Sequence, residues 1–178
     1  MTRRLVLVLG GTRSGKSRFG LRRARELANG TPVTFLATLR PGDPELDDRI
    51  RRHRRDRPPD WLTVEVGNDL AADIAAVPAA FTLLLDGLML WLSAVAGDEP
   101  AQIDAILDGP FDSALEALRK RRGSVVVVND EIGQGMVPLD PAARAFRDLN
   151  GIANQRLAAA ADEVHLLVAG LPVALRNT

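Results

Sequence analysis

Leu5-Val6-Leu7-Val8-Leu9 runs straight into Gly10-Gly11-Thr12-Arg13-Ser14-Gly15-Lys16-Ser17, and a helical pattern over 16–28 follows at once. The octet fits G-x-x-x-x-G-K-[ST], and its setting between an apolar strand and a helix is the one that phosphate chemistry requires. Glycines let backbone N–H groups turn inward around phosphate oxygens, and the helix N-terminus adds the positive end of its dipole. Lys16 is placed to reach the β- and γ-phosphates, and the Ser17 hydroxyl to ligate Mg²⁺. A P-loop of this kind predicts an α/β sheet whose first strand is buried.

The pattern continues outward from there. Short apolar runs at 5–9, 33–37, 81–85, 125–128 and 164–168 alternate with helical segments at 16–28, 44–55, 69–77, 87–96, 101–122 and 141–161. Near-continuous apolarity over about five residues suits strands buried on both faces of a parallel sheet. The fold class expected is a P-loop NTPase-like α/β domain: a mostly parallel, doubly wound sheet with helices on both faces. Residues 61–66 alternate apolar and polar, as a half-exposed extra strand does. Two long irregular stretches, 38–44 and 130–140, follow predicted strands, where open α/β sheets bind ligands.

Composition narrows the function. The 178 residues suit one domain spanning 1–178, with no internal repeat or low-complexity linker. Lys plus Arg and Asp plus Glu are 23 each, so bulk electrostatic capture of nucleic acid or anionic membrane is disfavoured. The absence of cysteine removes disulfides and thiolate chemistry, and two histidines cannot build a histidine-rich metal cage. The start, Met1-Thr2-Arg3-Arg4 followed by five apolar residues, imitates a signal peptide but opens the P-loop instead. The greasy stretch 81–96 carries Asp86 and is shorter than the roughly 20 residues of a membrane span. A cytoplasmic protein without a membrane span is expected.

A P-loop needs a carboxylate for the magnesium shell, usually at the end of another buried strand. Asp86, which ends the run Phe81-Thr82-Leu83-Leu84-Leu85, is the first choice, and Glu131, after Asn129-Asp130, is the second. No N-K-x-D tetrapeptide is present, which argues against a signalling GTPase. A small-molecule kinase or nucleotidyltransferase fits the size.

Arg49-Ile50-Arg51-Arg52-His53-Arg54-Arg55-Asp56-Arg57 places six arginines around one histidine. Acids at 45, 47 and 48 precede it, so the helix macrodipole alone accounts for the polarity, and a solvated basic helix or nucleic-acid patch is the plain reading. The sharper reading makes His53 a nucleophile toward an α-phosphorus, kept neutral by the neighbouring cations, with the guanidinium groups cradling phosphate oxygens. His165, within Glu163-Val164-His165-Leu166, reads as a packed strand residue. A P-loop kinase of another small alcohol and a nucleic-acid-binding ATPase remain alternatives, the latter disfavoured by two tryptophans, no tyrosine and zero net charge.

Several separated segments together resemble one family, the bifunctional adenosylcobinamide kinase/adenosylcobinamide-phosphate guanylyltransferases of cobalamin biosynthesis. They are the octet 10–17, Ala37-Thr38, Arg49-Ile50 with His53, Arg57-Pro58, Trp61 with Thr63 and Glu65, and Leu84-Leu85-Asp86. Glu131-Ile132-Gly133 with Gly135 and Val137-Pro138, Phe146-Arg147-Asp148, and Asn154 through Val164 complete the set. The resemblance implies two reactions. ATP or GTP phosphorylates adenosylcobinamide, and GMP from GTP then passes through a histidine to adenosylcobinamide phosphate, releasing pyrophosphate. It implies His53 as the guanylylated residue and Lys16 as catalytic. Nucleotide contacts are implied at Gly10, Gly11, Thr12, Arg13, Ser14, Gly15, Lys16 and Ser17, at Ala37, Thr38 and Leu39, at Arg54, Arg55, Asp56 and Arg57, and at Glu65 and Asp86. It further implies Mg²⁺ on Ser17 and Asp86, no other tightly held cofactor, and a homo-oligomer, trimers among those expected. Asn129-Asp130 stands where relatives often carry Thr-Asn, and Arg52 where some carry a second histidine.

Overall fold

The computed structural model describes residues 2–38, 58–97 and 102–177. Among them, seven strands form one sheet: β1 (Leu5–Gly10), β2 (Val33–Ala37), β3 (Leu62–Glu65), β4 (Thr82–Asp86), β5 (Val125–Asp130), β6 (Glu163–Val168) and β7 (Leu171–Asn177). Their order is β3-β2-β4-β5-β1-β6-β7, parallel throughout except for the antiparallel β6–β7 pair. The helices are α1 (Lys16–Ala28), α2 (Leu70–Ala76), α3 (Leu88–Ala96), α4 (Ile103–Ile106), α5 (Asp112–Lys120) and α6 (Pro141–Ala160).

The central strands are apolar on consecutive positions because each face of the sheet has its own core. Leu5, Leu7 and Leu9 join Leu83, Leu85, Val125 and Val127 beneath α2, α3, α5 and α6. Val6, Val8, Phe35, Leu84, Val126 and Val128 meet α1 on the other side. Helix α1 buries Lys16, Gly20, Ala24 and Ala28, one residue every four, so a narrow stripe of small side chains faces the sheet. A Cβ on Gly20 would lie 2.6 Å from Val128 Cγ2, so glycine is what lets the helix approach so closely. The expected extra strand at 61–66 is β3, exposed at the sheet edge with Leu62 pointing to solvent.

Three expectations need correction. The helical segment 101–122 is broken: α4 passes through a π-turn over Leu107–Phe111 before α5 begins, with Pro110 inside it. Proline lacks the N–H that a regular α-turn needs there, and the wider turn accommodates it. The irregular stretch expected at 130–140 begins one residue later, because Asp130 still pairs with Gly10 in the sheet. Strand β7 is not among the strands expected from the apolar runs. It is joined to β6 by the two-residue turn Ala169-Gly170, both at positive φ (52° and 83°), the conformation that matches hairpin twist. The segment 44–55 lies outside the described residues.

Candidate nucleotide site

Strand register collects the site. At the carboxyl edge Gly10 is level with Asp130 on one side and Leu167 on the other, while Ala37 is level with both Glu65 and Asp86. Residues far apart in the chain therefore share one ledge, and the P-loop turns over its middle.

The loop closes by Ser14 N–H donating to Gly11 O (3.2 Å), and Gly15 enters α1 at φ 90°. Arg13 also sits at positive φ (58°), a costly conformation for a residue with a Cβ and one that loops use when successive N–H groups form an anion-binding nest. Helix α1 has no side-chain cap and no acid in its first turn, so its N-terminal N–H groups are left for an anion. Gly170 N donates to Ser14 O (2.9 Å), and the Gly170 Cα would lie 3.2 Å from a Cβ on Gly15. The β6–β7 turn thus braces the loop from behind. The Ala-Gly pair between two apolar runs was the available signal for that turn.

Lys16 is buried with its Nζ 2.7 Å from Asp130 Oδ1 and 3.2 Å from Gly11 O. The Ser17 hydroxyl donates to Asp86 Oδ1 at 3.3 Å. Asp86, the first-choice carboxylate, is thus brought to the P-loop serine, whereas Glu131 accepts through its carboxylate from Gly133 N (2.6 Å), closing its own turn. Its backbone N–H donates to Gly10 O (3.1 Å), which holds the loop beyond β5 against the P-loop. Thr38 donates to the carbonyls of Asp86 (3.1 Å) and Gly87 (2.8 Å), tying β2 to the turn that follows β4. The Ala37 side chain is buried in the core and Glu65 is exposed at the end of β3. Leu39, His53, Arg54, Arg55, Asp56 and Arg57 lie outside the described residues.

Sequence reasoning missed a buried amide network beneath this ledge. Asn129 Oδ1 accepts from Met89 N (2.6 Å), and its Nδ2 donates to Asn150 Oδ1 (2.9 Å) and Asn154 Oδ1 (2.7 Å). Asn150 and Asn154 in turn donate to the carbonyl of Asp130 (2.9 and 3.2 Å). Their i, i+4 spacing on α6 put both on one helix face, the single clue in the sequence.

His165 is packed, as expected: its ring meets Phe19 at 5.0 Å and its Nε2 lies 3.3 Å from Glu163 Oε2. Arg23 binds the same carboxylate bidentately, at 2.6 and 3.1 Å. Burial pushes the Glu163 carboxyl up, but the hydrogen bonds from Arg23 and His165 together with their charges outweigh it and hold it below the ordinary carboxylate value.

Among the described residues no three His, Cys, Asp or Glu side chains gather into a metal cluster. The Ser17–Asp86 pair nonetheless offers two hard oxygens, which suits magnesium, an ion usually held by one or two protein groups together with phosphates and water.

Comparisons with known proteins agree with this geometry. Residues 6–175 match the family model described as cobinamide kinase / cobinamide phosphate guanyltransferase. The chain is 40% identical over 173 residues to the bifunctional adenosylcobalamin biosynthesis protein CobP of Pseudomonas aeruginosa, covering 96% of each. It is 36% identical to CobU of Salmonella typhimurium, a protein with the same bifunctional description, covering 97% of this chain and 99% of that one. Among solved structures the flagellar accessory protein FlaH of Methanocaldococcus jannaschii superposes with a TM-score of 0.55 at 12% identity. That match spans 98% of this chain and 79% of the other, and it is a likeness of fold alone. With a P-loop sheet, a paired serine and aspartate, and a match almost end to end at this identity, the chain belongs to the cobinamide kinase / cobinamide phosphate guanyltransferase family of bifunctional enzymes.

Proposed function

We propose that this chain carries out both family reactions on one domain spanning 1–178, with the P-loop as the triphosphate site. The observation that carries the reading is the Ser17–Asp86 contact at 3.3 Å beside Lys16, at the mouth of the P-loop. In the kinase step the substrate hydroxyl oxygen bonds to the γ-phosphorus of ATP or GTP, its proton passes to water, and the bond to the bridging oxygen breaks as the nucleoside diphosphate leaves. Lys16 and the loop N–H groups stabilise the charge that grows on the phosphate oxygens. Mg²⁺, held on Ser17 and Asp86, supplies charge neutralisation when bound.

In the second step an imidazole nitrogen of His53 bonds to the α-phosphorus of GTP and pyrophosphate leaves. A phosphate oxygen of adenosylcobinamide phosphate then takes the GMP and frees the imidazole. Arg54, Arg55, Asp56 and Arg57 frame this chemistry, while Ala37, Thr38, Leu39 and Glu65 line the nucleotide. Homo-oligomer formation, a trimer being one form, and a cytoplasmic location complete the reading. No helix among the described residues is long and apolar enough to cross a membrane.

GTP labelled at the α-phosphate tests it. His53→Asn is expected to lose both the acid-labile GMP adduct and guanylyl transfer while still phosphorylating adenosylcobinamide, since the γ-phosphorus reaction uses no histidine. His165→Asn is expected to keep the adduct. An adduct that persists in His53→Asn sinks the assignment, and equal loss of both activities assigns the histidine a structural role.

A further inference from the structure

We propose that Asp130 is the resident counter-ion of Lys16 and that a nucleotide must take the lysine from it, which makes Asp130 the residue that tunes triphosphate affinity at the loop. The proposal rests on the reading of Lys16 as the phosphate lysine.

Three observations carry it. Lys16 Nζ and Asp130 Oδ1 are 2.7 Å apart, with side chains only 8% and 9% exposed, so each carries the other's neutralising charge. The Asp130 backbone cannot withdraw. Its carbonyl is held by Asn150 and Asn154, and Asp130 is the last residue of β5, in register with Gly10. Only the side chain is left to move. Finally, Lys16 has a second bond to Gly11 O within the loop, which keeps the ammonium at the loop mouth as partners change.

A phosphate oxygen approaching Lys16 therefore meets a carboxylate already there. It must rotate the carboxylate away or share the lysine with a like charge beside it, and both oppose binding. The cost falls on any ligand that reaches Lys16. A tail with two or three phosphates reaches it and offers several charged hydrogen bonds to offset the cost, whereas a monophosphate stops short of the lysine. Asp130 thus weakens the binding of every tail long enough to reach Lys16.

The test compares Asp130→Asn with the unchanged protein by calorimetric titration, using a non-hydrolysable Mg²⁺–triphosphate analogue and the corresponding monophosphate. Asparagine has the same shape and lacks the charge. The variant is expected to bind the triphosphate about tenfold more tightly or better, in line with the coupling of close charge pairs. Its monophosphate affinity is expected to stay unchanged, because a ligand without β- and γ-phosphates does not reach Lys16. Its melting temperature without nucleotide is expected to fall, because Lys16 loses its partner, and to be recovered in full on adding triphosphate. A merely structural role lowers both melting temperatures and weakens binding. Asp130→Ser, measured identically, carries the same expectation if the asparagine variant does not fold. Unchanged or weaker triphosphate affinity in whichever variant folds overturns the proposal. Lys16→Ala separates the two layers: unchanged triphosphate binding in it refutes the reading of Lys16, whereas loss of binding there with unchanged affinity on replacing Asp130 refutes only this inference.

Discussion

At the scale of single residues, the decisive feature is that two side chains adjacent in sequence are divided between two strands. Lys16 meets Asp130 from β5, while Ser17 meets Asp86 from β4. The β5 strand lies between β1 and β4, so the lysine has the nearer strand and the serine reaches across to the farther one. This separation keeps the cation of the loop apart from the oxygens suited to Mg²⁺. If Asp86 supports the metal, Asp86→Asn is expected to raise the Mg²⁺ concentration that half-saturates phosphoryl transfer by on the order of 10- to 100-fold, the range seen when a metal's supporting ligands are removed. A magnesium titration of kinase rate checks it. An unchanged half-saturation point at normal activity removes Asp86 from the metal shell.

At the scale of elements, α1 transmits backbone geometry to the site. Its N-terminus carries Lys16 and Ser17, and its position over the sheet is set by Gly20 against Val128. The atom that a new Cβ would strike is a branched methyl on a central strand, which cannot swing aside without disturbing β5. Gly20→Ala is therefore expected to lower stability by about 1–3 kcal/mol, the usual cost of overpacking, even though alanine favours helix over glycine. Urea denaturation measures the loss. A neutral or stabilising result shows that propensity wins and that α1 floats more freely than its packing indicates. The β6–β7 hairpin acts on the same loop from the other side, through Gly170 and Ser14. The exposed Leu171, Val173 and Leu175 of β7 leave that outer edge apolar.

At the scale of the whole molecule, the ion pair of Glu163 with Arg23 fastens α1 to β6. The folded protein holds Glu163 below its ordinary value of about 4.5, so folded chains bind fewer protons than unfolded ones near that pH. The contribution to stability is accordingly complete above that value and is lost as pH falls through the lower, folded one. Glu163→Gln is expected to be less stable than the unchanged protein at neutral pH, with the gap shrinking as acid is added. Urea midpoints from pH 7 down to pH 3 follow it. A gap that is constant with pH assigns the loss to packing instead of charge.

What the sequence determined by itself was whatever depends on neighbours along the chain. The buried strands were legible because two-sided burial demands unbroken apolar runs, and 5–9 and 33–37 show them without ambiguity. The P-loop was legible because its backbone conformation is written in Gly15 and its chemistry in Lys16 and Ser17, all within one octet. Asp86 was legible as the polar end of an apolar strand. Only the tertiary structure decided what depends on register. That Asp130, not Asp86, neutralises Lys16 follows from Gly10 and Asp130 standing level on strands more than a hundred residues apart. The amide network joining Asn129 to Asn150 and Asn154 needed α6 laid across the end of β5, and β7 needed an edge to pair with. Local sequence specifies torsion angles and which surface avoids water; which polar groups then meet is set by how strands align, and parallel strands apolar on both faces and joined by long crossovers carry little local record of that alignment.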